Sequence, residues 1–311
     1  MLEVARVERP VAGNGQVLVR VRAASLNARD WHIMRGDPRI ARWMDRSVFG
    51  RRGPAQPIPG GDFAGVVEAV GAGVTDLRPG EEVYGESISG AFAEYLAVDR
   101  SVVAAKPAGL SFAEAAAVPL AANTALTCLR HVAAGDRVLI IGASGGVGTF
   151  AVQLALAAGA EVTGVCSTRN VELIRGLGAA RVVDYTRDPV PGRYDTVLDL
   201  AGSRRLRELL RLVEPTGTLV LSGGGNYTGG SLFGPIGLMA RAQLSRLFVR
   251  PTIRVPMANQ SSAALDELRD LIDTGRIRPI IDRTYPLGEV PAAIHYLETE
   301  HARAKIAITV G

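Results

Sequence analysis

The chain has almost no lysine, little cysteine and few aromatics, and each shortage removes a class of function. Of its 35 basic residues only Lys106 and Lys305 are lysines. The rest are arginines scattered along the chain, with no basic stripe interleaved with aromatics, so nucleic-acid binding is not expected. Two cysteines, Cys128 and Cys166, are too few for a disulfide framework and fit a reducing compartment. The histidines, His32, His131, His295 and His301, show no metal-ligand spacing. No apolar run reaches the roughly 18 residues of a membrane span, and no secretory signal pattern opens the chain, so the expected location is the cytoplasm. No serine, histidine and carboxylate arrangement suggests a hydrolase. What is present is 311 residues, 47% apolar and 21% charged, enough for two domains with a sizeable core.

The stretch that organises the chain is Gly142-Ala143-Ser144-Gly145-Gly146-Val147-Gly148. Before it, Arg137 to Ile141 is short, β-branched and bounded by Gly135-Asp136, the pattern of a buried parallel strand. After it, Thr149 to Ala158 reads as a helix closed by Gly159. Ala143 occupies the first glycine position of the usual G-x-G-x-x-G. Glycines at 145 and 148 let backbone approach a pyrophosphate and let helix pack on strand, while N–H groups of the first helical turn face the phosphate oxygens. From Arg137 onward strands at 137–143, 161–167, 181–185, 194–200 and 217–222 alternate with helices at 146–158, 169–177 and 203–213. That rhythm predicts a doubly wound parallel sheet.

The first hundred residues differ. Gln16 to Ala24 alternates Val17, Val19 and Val21 with Leu18, Arg20 and Arg22, which predicts a strand solvated on one face. Residues 36–61 form a long Arg-, Pro- and Gly-rich connection of the kind that is commonly functional. Short segments at 62–70, 83–85 and 93–98, separated by glycine turns, predict a β-rich domain. Ser111 with Glu114 forms a capping box ahead of an alanine-rich helical run to His131, interrupted at Pro119. An amphipathic segment from Pro235 to Val249, in which basic and apolar residues alternate, reads as a lid or dimer-contact helix, with a membrane-surface helix as the alternative. Helices at 262–274 and 289–299 and a closing strand at 304–310 complete the chain.

These residues resemble the medium-chain dehydrogenase/reductase superfamily, in its zinc-free quinone oxidoreductase branch. The superfamily's G-H-E-x-x-G frame survives as Gly60-Gly61-Asp62-Phe63-Ala64-Gly65, followed by Gly71 and Val74. The resemblance implies an α/β fold, in which a Rossmann domain at 121–256 joins a β-rich GroES-like catalytic domain at 1–120 and 257–311. It also implies a metal-free site, because the zinc-ligand positions of the family's alcohol dehydrogenases hold Asn27, Gly61 and Leu120. Related chains usually carry a further first strand ahead of this start.

Cofactor choice follows from charge. NAD-preferring folds place an acid about 20 residues after the glycines, whereas here the second strand ends in Ser167-Thr168-Arg169-Asn170. Ser167 and Arg169 suit a phosphate ester, and Tyr185 matches a tyrosine of NADPH-using relatives. NADPH is therefore the expected cofactor, held by Ala143, Ser144, Gly145, Gly146, Val147, Gly148, Ser167, Arg169 and Tyr185. Thr124, Ser222 and Gly223, with Gly224 beyond, match the family's nicotinamide end, and Lys305 its basic residue near the phosphates. Asn27 is implied as the oxyanion donor, with Asp30, His32 and Tyr84 as proton-relay candidates.

The expected reaction is hydride transfer from NADPH to a quinone or an α,β-unsaturated carbonyl, a small-molecule acceptor. A zinc-independent alcohol dehydrogenase, an enoyl-thioester reductase and a non-catalytic NADPH-binding sensor or scaffold are the alternatives. A homodimer is expected through Rossmann edge strands, with Gly217 to Leu221 as the unpaired edge.

Overall fold

The computed structural model describes residues 2–50, 53–223, 234–300 and 302–311. Strand β1 (Gln16–Leu26) runs into α1 (Ala28–Arg35), and two single-turn helices follow, α2 (Ala41–Met44) and α3 (Arg46–Phe49). Strands β2 (Asp62–Val70), β3 (Glu82–Glu86), β4 (Tyr95–Asp99) and β5 (Val103–Ala105) lead to α4 (Phe112–Ala116) and α5 (Pro119–Leu129). Next come β6 (Arg137–Ile141), α6 (Gly146–Ala157), β7 (Glu161–Cys166), α7 (Val171–Gly176), β8 (Arg181–Asp184), β9 (Tyr194–Asp199), α8 (Leu206–Arg211) and β10 (Val213–Leu221). Helix α9 (Gly234–Ser245) and β11 (Thr252–Arg254) precede α10 (Ser262–Asp273), β12 (Ile281–Pro286), α11 (Val290–Thr299) and β13 (Lys305–Thr309).

Two sheets divide these strands. The 7-stranded sheet has the order β12-β13-β1-β2-β3-β5, with β4 also on β1, so the end of the chain returns to the sheet that its beginning formed. The 6-stranded sheet is parallel in the order β11-β10-β9-β6-β7-β8. Its strand order reverses between β6 and β9, and their carboxyl ends open the crevice where such sheets bind dinucleotides. Val138, Leu139, Ile140 and Ile141 are all buried, because α6 covers one face of the sheet and α8 and α9 the other. That two-sided burial is why β6 reads as a continuous apolar run and not as an alternation.

Helices α4, α5 and α10 fill the space between the sheets. Ser111 caps α4 in the expected box with Glu114, and Pro119 occupies the first turn of α5, where its missing N–H costs no hydrogen bond. The expected domain boundary at residue 120 falls inside that first turn. Leu265 and Leu268 of α10 join Ala121, Ala125, Phe150 and Tyr84 in one core.

Two expectations need correction. Of Leu18, Arg20 and Arg22 only Arg20 is exposed, because β1 pairs with β2, β4 and β13 and α4 packs across it. Strand β10 is not an edge: β9 lies on one side of it and β11 on the other. The edge is β11, three residues long, too short and too charged to be legible as a strand from sequence. Strand β12, with Asp282, Arg283 and Thr284 at its centre, likewise lacks an apolar pattern; among the described residues it pairs with β13 alone.

Candidate functional site

The glycine loop joins β6 to α6 at the switch point. Gly142 lies at φ +85 and Gly148 packs so closely that a Cβ there would sit 2.2 Å from the Gly142 carbonyl oxygen, so both glycines are dictated by the turn itself. Gly145 is different: a Cβ there would meet only the Gly142 oxygen, at 3.5 Å. The protein gives no steric reason for its glycine, and the free space lies at the N-terminus of α6, where the first-turn N–H groups have no intrahelical partner. The loop therefore fits a dinucleotide pyrophosphate.

The neighbouring strand ends complete the crevice. Ser167 follows β7, and Tyr185, 58% exposed, follows β8 and donates its backbone N–H to Cys166 at 3.1 Å. Arg169 is exposed and its Nη2 donates to the Glu300 carbonyl at 2.6 Å. The acid of this region, Asp184, is engaged: its carboxylate accepts from the Thr168 and Thr186 hydroxyls, which hold it below the usual carboxylate range. Asn170, which belongs to no recognisable motif, is buried and donates from Nδ2 to both Ser144 and Ser167, at 3.0 and 3.2 Å. It ties the glycine loop to the end of β7. Gly223 abuts the chain after β9, where a Cβ would lie 2.8 Å from the Leu200 oxygen. Thr124, half-buried, lies on α5 one helical turn before Cys128, and Ser222 follows β10. Gly224 and His301 lie outside the described residues.

A buried polar cluster sits where β1, β2, α5 and β13 converge. Asp62 is fully buried at the start of β2, and its Oδ2 accepts from Ser25 Oγ at 3.0 Å, Asn27 Nδ2 at 2.9 Å and Lys305 Nζ at 3.4 Å. Its Oδ1 accepts the Leu120 N–H at 3.1 Å. Lys305 also donates to the Leu26 carbonyl at 3.0 Å and to Asn27 Oδ1. Burial pulls the Lys305 ammonium down from its ordinary pKa, and the carboxylate of Asp62 opposes that shift. Asp30 caps its own helix by accepting the Asn27 N–H at 2.7 Å through Oδ2, while its buried Oδ1 has no partner among the described residues. Burial raises Asp30 to about 6, against the lowering effect of Arg29. Arg29 pairs with Glu86 at 2.7 Å, and Glu86 is itself raised by burial and by Asp62. An apolar pocket formed by Ile33, Met34, Pro57, Pro59 and Ile88 adjoins Asp30, so the 36–61 connection walls this side of the site.

The structure moves three of the expected residues. Tyr84 is 0% exposed and its hydroxyl donates to the Leu265 carbonyl at 2.6 Å, with burial raising its pKa; it ties β3 to α10, away from the cluster. His32 stacks on Trp31 and its Nδ1 lies 2.6 Å from the Asp37 carbonyl, directed toward the loop that follows α1. Lys305 is 2% exposed and reaches the Asn27–Asp62 pair instead of the glycine loop's open side. Asp62 was legible only as a frame position. A carboxylate between glycines at the head of an apolar strand was the signal that it has buried polar partners.

Family models match two segments, an alcohol dehydrogenase GroES-like domain over residues 13–108 and a zinc-binding dehydrogenase domain over 177–308. The mouse mitochondrial NAD(P)H oxidoreductase RTN4IP1 is 35% identical, over 95% of this chain and 82% of its own length. The chloroplastic NADPH-dependent alkenal/one oxidoreductase of Arabidopsis thaliana is 31% identical, over 96% of this chain and 73% of its own. The solved quinone oxidoreductase of Coxiella burnetii superposes with a TM-score of 0.82 at 28% identity, covering 98% of this chain and 93% of that one. The chain belongs to the medium-chain dehydrogenase/reductase family, in its quinone oxidoreductase branch. It is an oxidoreductase that uses a nicotinamide cofactor.

Zinc, which one family model carries in its description, does not fit the residues present in this medium-chain dehydrogenase/reductase. At the positions that carry ligands in the family's alcohol dehydrogenases, the Asn27 amide is occupied by Lys305 and Asp62, and Leu120 has no donor atom. Gly61 lies under Arg29, whose Nη2 would be 2.2 Å from a Cβ. Among the described residues no group of three His, Cys, Asp or Glu is placed to hold a metal. Two side-chain cations, Lys305 and Arg29, therefore lie against two of the three positions.

Proposed function

We propose that the protein transfers hydride from NADPH to a quinone or to the β-carbon of an α,β-unsaturated carbonyl, without zinc. The observation that carries this reading is Asn27, an amide clamped by Lys305 and Asp62 with one Nδ2 hydrogen lacking a protein acceptor among the described residues. When bound, the reduced nicotinamide supplies the hydride. Asn27 donates its remaining N–H to the acceptor oxygen, where charge collects as the hydride arrives; conjugation in the acceptor spreads that charge, so a neutral donor suffices without a Lewis acid. Asp30, buried beside Asn27 with one oxygen lacking a partner among the described residues, holds a proton up to about pH 6 and can release it to the reduced acceptor. The apolar wall of Ile33, Met34, Pro59 and Ile88 receives the acceptor's body and excludes water.

NADPH in preference to NADH is supported by Ser167, Arg169 and Tyr185 at the ends of β7 and β8 and by the absence of a free carboxylate there among the described residues. One curated relative is named as NADPH-dependent. The buried free thiols Cys128 and Cys166 favour a reducing compartment such as the cytoplasm. Among the described residues no helix is long and apolar enough to cross a membrane. Pairing of two copies across the β11 edge is supported by Leu244, Leu247 and Phe248, which precede β11 in the chain and are 74%, 88% and 87% exposed. NADPH oxidation measured against a panel of quinones, enones and simple aldehydes tests the reaction. Turnover confined to the conjugated acceptors supports it, equal turnover of unconjugated aldehydes refutes it, and binding without turnover would make the protein a sensor.

A further inference from the structure

Lys305 is placed by the cofactor loop, not by the first sheet alone. Ahead of β13 the chain forms a parallel bridge to Gly145, and the Ala304 N–H donates to the Ser144 carbonyl at 2.7 Å. Ala304 takes φ +50, a left-handed conformation uncommon for a residue with a Cβ. From there the Lys305 stem crosses Gly146, where a Cβ would lie 2.9 Å from Cδ. Gly146 is thus a glycine that makes way for a lysine. The head ends on three acceptors, Leu26 O, Asn27 Oδ1 and Asp62 Oδ2. An ammonium has three protons, so none remains for a cofactor phosphate.

The same contacts decide which way the Asn27 amide points. Its Oδ1 faces the ammonium and its Nδ2 faces the carboxylate of Asp62. Turning the amide over would set an NH2 group against the ammonium and an oxygen against the carboxylate, so two charge-assisted bonds would become two repulsions. Asp62 and Lys305 are 0% and 2% exposed, so water does not screen that choice.

We propose that Lys305 is a positioning residue: acting through Asn27, it fixes the amide so that the remaining N–H faces the acceptor oxygen, and Gly146 admits its stem. The inference rests on the reading of Asn27 as oxyanion donor given above. It assigns the loop a second task, since the segment that would cradle the pyrophosphate also sets the donor at the reacting end.

Lys305→Met alone would leave Asp62 as a buried unpaired carboxylate and could unfold the chain. The test therefore uses two neutral pairs in the full-length protein, Asp62→Asn with Lys305→Gln and Asp62→Asn with Lys305→Met. They differ in whether residue 305 can donate to Asn27 Oδ1. The Met pair should turn over its conjugated acceptor roughly tenfold to a hundredfold more slowly than the Gln pair, with equal NADPH affinity by fluorescence titration. In an Asn27→Ala background the two pairs should have the same kcat. Equal kcat of the two pairs in the protein that retains Asn27, a loss confined to NADPH affinity, or a difference that persists in the Asn27→Ala background would each overturn the proposal. The single variant Asn27→Ala separates the two levels: full kcat there would remove the oxyanion role itself, whereas a large loss there with equal Gln and Met pairs would remove only the role of Lys305.

Discussion

Asp30→Asn is the substitution whose consequences can be worked most fully from the structure. Asp30 is buried, gives one oxygen to the Asn27 N–H and leaves the other without a partner among the described residues, and its pKa rises from 3.8 to about 6. A folded-state pKa above the unfolded one means that the folded protein holds this proton more tightly. Stability from Asp30 is therefore complete below about pH 4 and declines as pH rises through about 6, where the carboxylate must ionise in a desolvated site. A rise of that size corresponds to about 3 kcal/mol between the protonation states. The asparagine keeps the acceptor for Asn27 N–H and cannot ionise. Urea unfolding should thus show the variant close to wild type at pH 4 and gaining relative to it, by up to about 3 kcal/mol, at pH 8. If Asp30 also supplies the proton, wild-type kcat should fall as pH rises through about 6 and the variant should lack that limb while retaining hydride transfer at a reduced rate. A stability difference that stays constant from pH 4 to pH 8 would refute the burial argument, and a pH limb that survives in the variant would refute the proton role.

Other outcomes follow from the same geometry. Arg169→Ala should weaken NADPH by tens-fold and leave NADH nearly unchanged, since losing a charge-assisted contact costs about 1.5–3 kcal/mol; equal losses in fluorescence titrations with both cofactors would show that its bond to Glu300 is the important one. Tyr84→Phe removes the hydroxyl from the Leu265 carbonyl and should lower stability by about 1 kcal/mol while leaving kcat and its pH profile intact; a changed pH profile would return Tyr84 to the chemistry. Chelators should leave activity unchanged and elemental analysis should find no stoichiometric zinc, because Asn27, Gly61 and Leu120 stand at the ligand positions, with Lys305 and Arg29 against the first two. Light scattering at micromolar concentration should report a dimer, and Phe248→Asp beside the β11 edge should shift it toward monomer.

The amino-acid sequence by itself determined the parallel sheet, the glycine loop and the absence of zinc-ligand side chains, because these depend on local chemistry. A β-branched run between turn glycines has one good conformation, the Gly142–Gly148 turn needs a positive φ at 142 and leaves no room for a side chain at 148, and a leucine side chain at position 120 offers no metal ligand in any fold. The family frame around Asp62 was readable for the same reason. Tertiary structure alone decided what depends on distant segments meeting. Lys305 and Asn27 are far apart in the chain, and only the antiparallel register of β13 on β1, with Ala304 bonded to Ser144, carries the ammonium to the amide instead of to the phosphates. Tyr84 was a proton-relay candidate, yet the packing of α10 against β5 and α5 closes its hydroxyl against Leu265. The edge of the parallel sheet passed from β10 to β11 because three residues with polar ends, Thr252 to Arg254, pair only once β10 is in place. Burial of that kind, and the directions in which it shifts Asp30, Glu86 and Lys305, is a property of the assembled fold and has no signature in the order of the residues.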